Sequence, residues 1–166
     1  LGGDPEHPFV IFEETKALYE KRKNELKEIV AEKKAAKKAW AKEHPELAKK
    51  LEFFFSGKSP EVNWEAVVQQ PNKSTRAASA TVLGELAKQV ENMITASADL
   101  SNSDKTDGFL KKTKAFSKND FSGSFLQAGV SELTMACLCI GMSLHGGVVP
   151  ACGTFFVFSD YMKPAV

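Results

Sequence analysis

Apolar positions Tyr19, Leu26, Ile29, Ala36 and Trp40 recur at spacings of three, four and seven along the first third of the chain. That period predicts one helix from about Glu13 to Ala41 carrying a single apolar stripe, interrupted at Arg22 and Lys33. His44-Pro45 ends it, because proline disfavours helical backbone in the residue before it. A shorter helix is expected over Glu46 to Phe55, a loop over Ser56-Gly57-Lys58-Ser59-Pro60, and one or two further turns around Trp64, Val67 and Val68 before Pro71-Asn72-Lys73-Ser74.

Beyond that break the pattern changes to helix, strand, loop, helix, strand, helix. Ser74 or Thr75 is suited to cap a helix whose Leu83, Leu86, Ala87 and Val90 face a core, and Met93 to Ser97 reads as a strand. A polar tract from Leu100 to about Ser124 reads as a loop. Gly129-Val130-Ser131 opens a helix running to Leu144, closed by His145-Gly146-Gly147. Val148 to Thr154 reads as a second strand, and a third helix is expected from Phe155 onward. Strands alternating with helices predict parallel βαβ units, in which ligands sit beyond the carboxyl ends of the strands. Asp99 to Ser103 and Thr154 to Phe158 are therefore expected at the functional edge of an α/β fold.

Charge divides the chain in the same place. Residues 1 to 70 hold 13 acidic and 13 basic residues, whereas Leu133 to Ser159, 27 residues, hold no Asp, Glu, Lys or Arg. A membrane span is rejected for that stretch, since Thr134, Ser143, His145, Gly146, Gly147, Pro150, Gly153 and Thr154 break it into short pieces. Buried α/β core accounts for it instead. On the first helix the glutamates alternate with lysines at i,i+4-type distances, which points to a solvated connector helix and away from a membrane-surface or partner-groove helix. With 22 basic against 21 acidic residues and a net charge of +1, nothing global argues for nucleic acid.

At 166 residues the chain accommodates one domain or a domain with an appendage. Three cysteines without a CxxC pair form no disulfide framework and fit a reducing, cytoplasmic interior. The opening Leu1-Gly2-Gly3-Asp4-Pro5 lacks initiator methionine and secretory signal, and Tyr161 to Val166 carries no stop signal, so a piece of a longer protein is expected. A sheet domain cut short leaves an edge and apolar faces such as Leu133 to Phe158 uncovered, and the chain alone is expected to self-associate or to be partly disordered.

Candidate chemistry is sparse. Arg76 stands in the first turn of its helix, where the macrodipole disfavours a cation. Either an anion such as phosphate is held jointly by guanidinium and helix N-terminus, or Arg76 is an exposed or carboxylate-paired side chain. Glu132, the only acid between Asp120 and Asp160, leads an apolar helix. It is either a first-turn acid favoured by the dipole or a desolvated carboxyl able to share a proton with a ligand nitrogen. Phe155, Phe158 and Tyr161 make an aromatic stripe that is either core or a pocket for a flat heteroaromatic ring. Asn102 to Gly108 imitates the start of an EF-hand but lacks its bidentate acid; Cys137 and Cys139 point to different helix faces and cannot chelate zinc together. His145 is expected in a capping or buried role at its glycine C-cap, and neither GxGxxG nor GxxxxGK[ST] is present.

Three segments, Ser74-Thr75-Arg76-Ala77-Ala78-Ser79, Ser97-Ala98-Asp99-Leu100-Ser101-Asn102-Ser103, and Gly129-Val130-Ser131-Glu132 through Gly146-Gly147 to Tyr161, together resemble transketolase, a thiamine diphosphate enzyme. Residues 1–72, with Trp40, His44-Pro45-Glu46-Leu47 and Trp64-Glu65, look like that family's helical interdomain connector. Residues 73–166 look like the first part of its pyrimidine-binding domain, an incomplete parallel sheet. The resemblance implies transfer of two-carbon ketol units between sugar phosphates in the pentose phosphate pathway, by a cytoplasmic homodimer whose active site forms between subunits. It implies Glu132 as the catalytic glutamate bonded to the aminopyrimidine ring nitrogen, promoting the imino tautomer that deprotonates the thiazolium carbon. It places Phe158, Phe155 and Tyr161 around the pyrimidine, Leu100 near the thiazolium, and Arg76 and Ser103 on the sugar phosphate. Ser131 stands where many relatives carry arginine. Diphosphate and Mg2+ would be held by a domain outside this chain, so no metal ligand is expected here and the piece alone is expected to be inactive. Dihydroxyacetone synthase, the deoxyxylulose phosphate synthase group, or a non-catalytic binding or regulatory module of the same fold are the alternatives.

Overall fold

The chain, described here by a computed structural model over residues 3–166, divides into two units, one ending at Lys49 and the other Lys50–Val166. Leu1 and Gly2, part of the opening segment discussed above, lie outside the described residues. The first unit is dominated by α1 (Glu13–Glu43), which has no buried residue; its stripe residues Tyr19, Leu26 and Ile29 are 71%, 44% and 40% exposed. Ion pairs line its surface at i,i+3, among them Lys16–Glu13, Arg22–Glu25 and Lys23–Glu20, one residue closer than expected. Exposed pairs of this kind contribute about 0–1 kcal/mol each. The unit boundary falls within α2 (Pro45–Phe55).

In the second unit a 3₁₀ turn (Trp64–Ala66) precedes α3 (Thr75–Gln89). Ser74 is its N-cap residue, but its hydroxyl makes no capping bond. Next comes β1 (Met93–Ser97), where the alternation placed it. The tract read as one loop instead holds two single-turn helices, α4 (Ser101–Asp104) and α5 (Asp107–Leu110), and is followed by a strand the pattern did not predict, β2 (Phe125–Gln127). The helix opened by Gly129 starts at Glu132 and forms α6 (Glu132–His145), and β3 (Val149–Gly153) follows. Gly146 and Gly147, with φ of +80° and +83°, close α6 as expected, and the Gly146 N–H bonds the Met142 carbonyl. The predicted third helix is a pair of 3₁₀ turns, Phe156–Tyr161 and Lys163–Ala165. Pro164 stands in the second turn, where it lacks an N–H and disfavours α geometry at Lys163.

The strands form one parallel sheet in the order β2-β1-β3, with Thr95 opposite Phe125 and Ala151, and Ser97 opposite Gln127 and Gly153. Strand alternation sends Met93 and Thr95 to one face and Ala96 to the other. On the first face Met93, Val90, Phe109 and Phe125 pack with Leu83 and Leu86 of α3; on the second Ala96 and Ala98 meet Met135 and Cys139 of α6. Leu133, Leu138, Leu144 and Phe156 are left exposed, as expected of uncovered faces.

Phe125 is fully buried. Phe125→Ala removes the only large side chain that β2 contributes to this core and is expected to cost about 3–5 kcal/mol. Urea unfolding measures it, and a loss below about 1 kcal/mol would mean that β2 is not structural.

Candidate functional site

All three strands end on the same edge, and the chemistry-bearing residues follow those ends. The residue after β1 is Ala98, then Asp99 at φ +65°, Leu100, and α4 with Ser103; β2 leads to Glu132; β3 leads to Thr154 and the aromatic turn. Asp99 and, after α4, Lys105 at φ +70° hold left-handed backbone, a conformation that costs non-glycine residues energy and clusters at functional edges.

A carboxylate knot fastens this loop. Asp104 accepts from the Ser97 hydroxyl at 2.7 Å and from both the N–H and the hydroxyl of Thr106 at 2.8 Å. Ser97 Oγ in turn accepts the Leu100 N–H at 3.1 Å, which sets Leu100 at the mouth of β1. Asp104 and Thr106 were missed as site-forming residues; the Asp-x-Thr spacing, able to bond its own backbone two residues on, was the available signal. Gly153 completes the fit, because a β-carbon there would stand 2.5 Å from the Thr106 methyl.

Arg76 and Ser103, 27 positions apart, come together here: Arg76 Nη1 donates to the Ser103 carbonyl oxygen at 3.1 Å. The guanidinium stays exposed, and the Ser103 hydroxyl donates to Asn102 Oδ1 at 3.2 Å. Arg76 thus stands at the N-terminus of α3 with donors left over, a setting that attracts an anion. It also borders a cavity of about 530 Å3 lined by Thr75, Ser79, Thr95 and Thr154. Thr95 Oγ1 is buried there with no hydrogen-bond partner among the described residues.

Glu132 is 8% exposed at the head of α6, in line with buried Met135, Ala136 and Cys139 at i+3, i+4 and i+7. One carboxylate oxygen accepts the Thr154 hydroxyl at 3.3 Å; the other has no hydrogen-bond partner among the described residues. Beside Thr154 stand the aromatics. Phe155 and Phe158 stack with centroids 6.1 Å apart and planes 19° apart, Phe158 and Tyr161 at 6.2 Å and 29°. Three residues per turn in the 3₁₀ turn place side chains at i and i+3 over one another, which an α-helix would splay. Phe155 and Phe158 are half-buried, and Tyr161 is 62% exposed. α6 packs directly on this turn.

His145 lies away from the site, exposed, with Nδ1 3.1 Å from the Gly146 carbonyl and its ring edge-on to Phe55. Of the two expected roles, capping or burial, it takes the first. Cys137 is exposed and Cys139 buried, as the opposed faces require. No group of three His, Cys, Asp or Glu able to hold a metal occurs among the described residues. No helix among them is long and apolar enough to cross a membrane.

Residues 72–166, more than half of the chain, match the family described as transketolase, pyrimidine binding domain. The chain belongs to the transketolase family. It is 38% identical over 165 residues to the transketolase of Halalkalibacterium halodurans, covering 97% of this chain and 24% of that protein, and 41% identical over 127 residues to that of Bacillus subtilis, covering 74% and 19%. In structure it is similar to a mutant transketolase from Pichia stipitis, with a TM-score of 0.80 and 31% identity over 99% of this chain and 26% of that one. A transketolase from the same organism in complex with sedoheptulose-7-phosphate gives 0.80 and 30%. The chain thus spans about a quarter of the length of the transketolases it matches.

Proposed function

We propose that this chain is the connector (residues 1–72) and the first part of the pyrimidine-binding domain (73–166) of a transketolase that moves a two-carbon ketol unit between sugar phosphates. The observation that carries the reading is Glu132: a buried carboxyl at a helix start, anchored on one oxygen by Thr154, the residue that leads directly into a stack of half-buried aromatic rings on which α6 packs. A flat heteroaromatic ring fits that combination. Its face would lie against Phe155 and Phe158, with Tyr161 at the outer end and Leu100 across the strand ends, and a ring nitrogen would meet Glu132.

Thiamine diphosphate, bound with its pyrimidine there, would supply the nucleophilic carbon and electron sink that cleavage of a ketose carbon–carbon bond requires. Glu132 holds and exchanges a proton at the pyrimidine nitrogen, and Thr154 keeps its carboxyl oriented. Arg76 and Ser103 receive the phosphate of the sugar at the α3 N-terminus. Magnesium and the diphosphate would be held by a region outside this chain. A homodimer completing the site across its interface and a cytoplasmic location belong to the same proposal.

The test is transfer from xylulose 5-phosphate to ribose 5-phosphate by the full-length protein carrying this chain, with thiamine diphosphate and magnesium. Sedoheptulose 7-phosphate is the expected product, and no transfer would overturn the reading in favour of a binding module. In the same assay Arg76→Ala is expected to raise KM for both sugars roughly ten- to hundredfold, the loss of one or two charge-assisted hydrogen bonds, with a smaller change in kcat. An unchanged KM would remove Arg76 from phosphate binding.

A further inference from the structure

Two sulfurs that the ketol-transfer site does not use lie together in the core. Cys139 of α6 is 8% exposed, packed among Ala96, Ala98 and Met135, with Sγ 4.0 Å from the carbonyl oxygen of Ala151. The next residue of β3, half-buried Cys152, packs against the same cluster opposite Ala96. Facing each other from α6 and β3 within this one cluster, the two thiols perturb each other: the neighbouring Cys139 brings the Cys152 thiol down to about 7 against the opposing effect of burial, while Cys152 and burial push the Cys139 thiol up. Cys139 lines a cavity of about 590 Å3 beside Asn92 and Ser143, which gives a small oxidant a route toward the pair, and Cys152 is only half-buried. Cys137, two residues from Cys139 and on the exposed face of α6, makes an internal control.

We propose that Cys139 and Cys152 are a reversible dithiol–disulfide pair, oxidised by a hydroperoxide at Cys152 and resolved by Cys139. The Cys152 thiolate attacks one peroxide oxygen; an S–O bond forms, the O–O bond breaks, and the departing hydroxide takes up a proton as water. The Cys139 sulfur then attacks the Cys152 sulfenic acid. An S–S bond forms, the S–O bond breaks, and the second hydroxide leaves as water with the Cys139 proton. Overall two thiols and one hydrogen peroxide give one disulfide and two waters, the two electrons passing from sulfur to peroxide oxygen, and a dithiol reductant reverses it. Such a transient bridge is the kind a reducing compartment permits. It fastens α6 to β3, the elements that carry Glu132 and lead to Thr154; this consequence rests on the function proposed above, whereas the bridge does not.

The experiment treats the full-length protein carrying this chain with hydrogen peroxide, alkylates it with iodoacetamide in denaturant, and locates modified cysteines by peptide mass. Expected is loss of alkylation at Cys139 and Cys152 together, a mass lower by two hydrogens in the peptide that joins them, and full recovery with dithiothreitol. Cys139→Ser is expected to abolish the bridge and leave Cys152 open to a sulfenic-acid probe such as dimedone; Cys152→Ser is expected to leave Cys139 reduced. The proposal is overturned if both remain alkylatable at peroxide levels that oxidise Cys137, or if bridging runs through Cys137. Both outcomes are read from thiols alone, so they stand apart from any result on ketol transfer.

Discussion

Replacing Glu132 with glutamine in the full-length protein is expected to lower kcat for ketol transfer by roughly 10²–10⁴-fold, the range set by removing a positioned proton-transfer group. The substitution preserves shape. Glutamine can still accept the Thr154 hydroxyl that now reaches one carboxylate oxygen at 3.3 Å, and it fills the same 8%-exposed position above Met135 and Ala136. What it loses is the ability to hold and exchange a proton at a ring nitrogen. Stability should therefore change by no more than about 1 kcal/mol, because no cavity opens and the Thr154 hydroxyl keeps its acceptor. Glu132→Ala is expected to lose at least as much rate and some stability besides, since it empties part of a packed position and strands the Thr154 hydroxyl. Paired measurements of transfer rate and urea midpoint separate the two effects. A glutamine variant within tenfold of the parental rate would end the assignment of proton handling to Glu132, whatever the alanine variant does.

Gly108→Ala is expected to destabilise the Lys50–Val166 unit by about 3 kcal/mol, although it adds a single methyl group. A β-carbon at this first-turn position of α5 would stand 2.8 Å from the carbonyl carbon and from the α-carbon of Ala80, and closer still to its carbonyl oxygen. Those are backbone atoms of α3, so no rotamer change relieves the clash and the two helices must separate. α5 carries Phe109, which is 1% exposed in the core with Val90, Met93 and Phe125, and separation pulls that ring out of place. Because α4 and α5 are joined through the Asp104–Thr106 bonds, the approach of Ser103 to Arg76 is expected to suffer too. Gly84→Ala is the companion. Its β-carbon would meet the Gly108 carbonyl oxygen at 3.2 Å, tight but tolerable, and alanine gains about 1 kcal/mol of helix propensity over glycine, so a net change under about 1 kcal/mol is expected. Urea unfolding of both variants checks the pair. Equal losses would mean that the α3–α5 approach is looser than the structure describes.

Gly108 illustrates what a sequence read alone leaves out. Nothing around it demands glycine locally: it was one small residue in a polar tract, and its φ is not positive. The demand comes from Ala80, 28 positions earlier, through a close crossing that no local period encodes. β2 was missed for the same reason. Three residues are too few to show alternation, and Phe125 becomes a strand residue because β1 offers it a ladder and the α3–α5 layer a buried place. Phe156–Tyr161 differed the other way, since the three-residue aromatic spacing suits an α-helix and a 3₁₀ turn alike.

By contrast, α1, β1, the glycine closure of α6 and β3 were legible to within a few residues, because each is written in neighbours one to four apart and in residues with strong backbone preferences. Sequence by itself thus determined the α/β class and the sheet edge along which Glu132, Arg76, Ser103 and the aromatic triplet lie. Only tertiary structure decided that Arg76 reaches Ser103, that Thr154 anchors Glu132, and that Cys139 and Cys152 share a core. These pairs lie 27, 22 and 13 positions apart, and at such separations contact is set by how strands pair and helices cross, which short-range hydrophobic periodicity does not record.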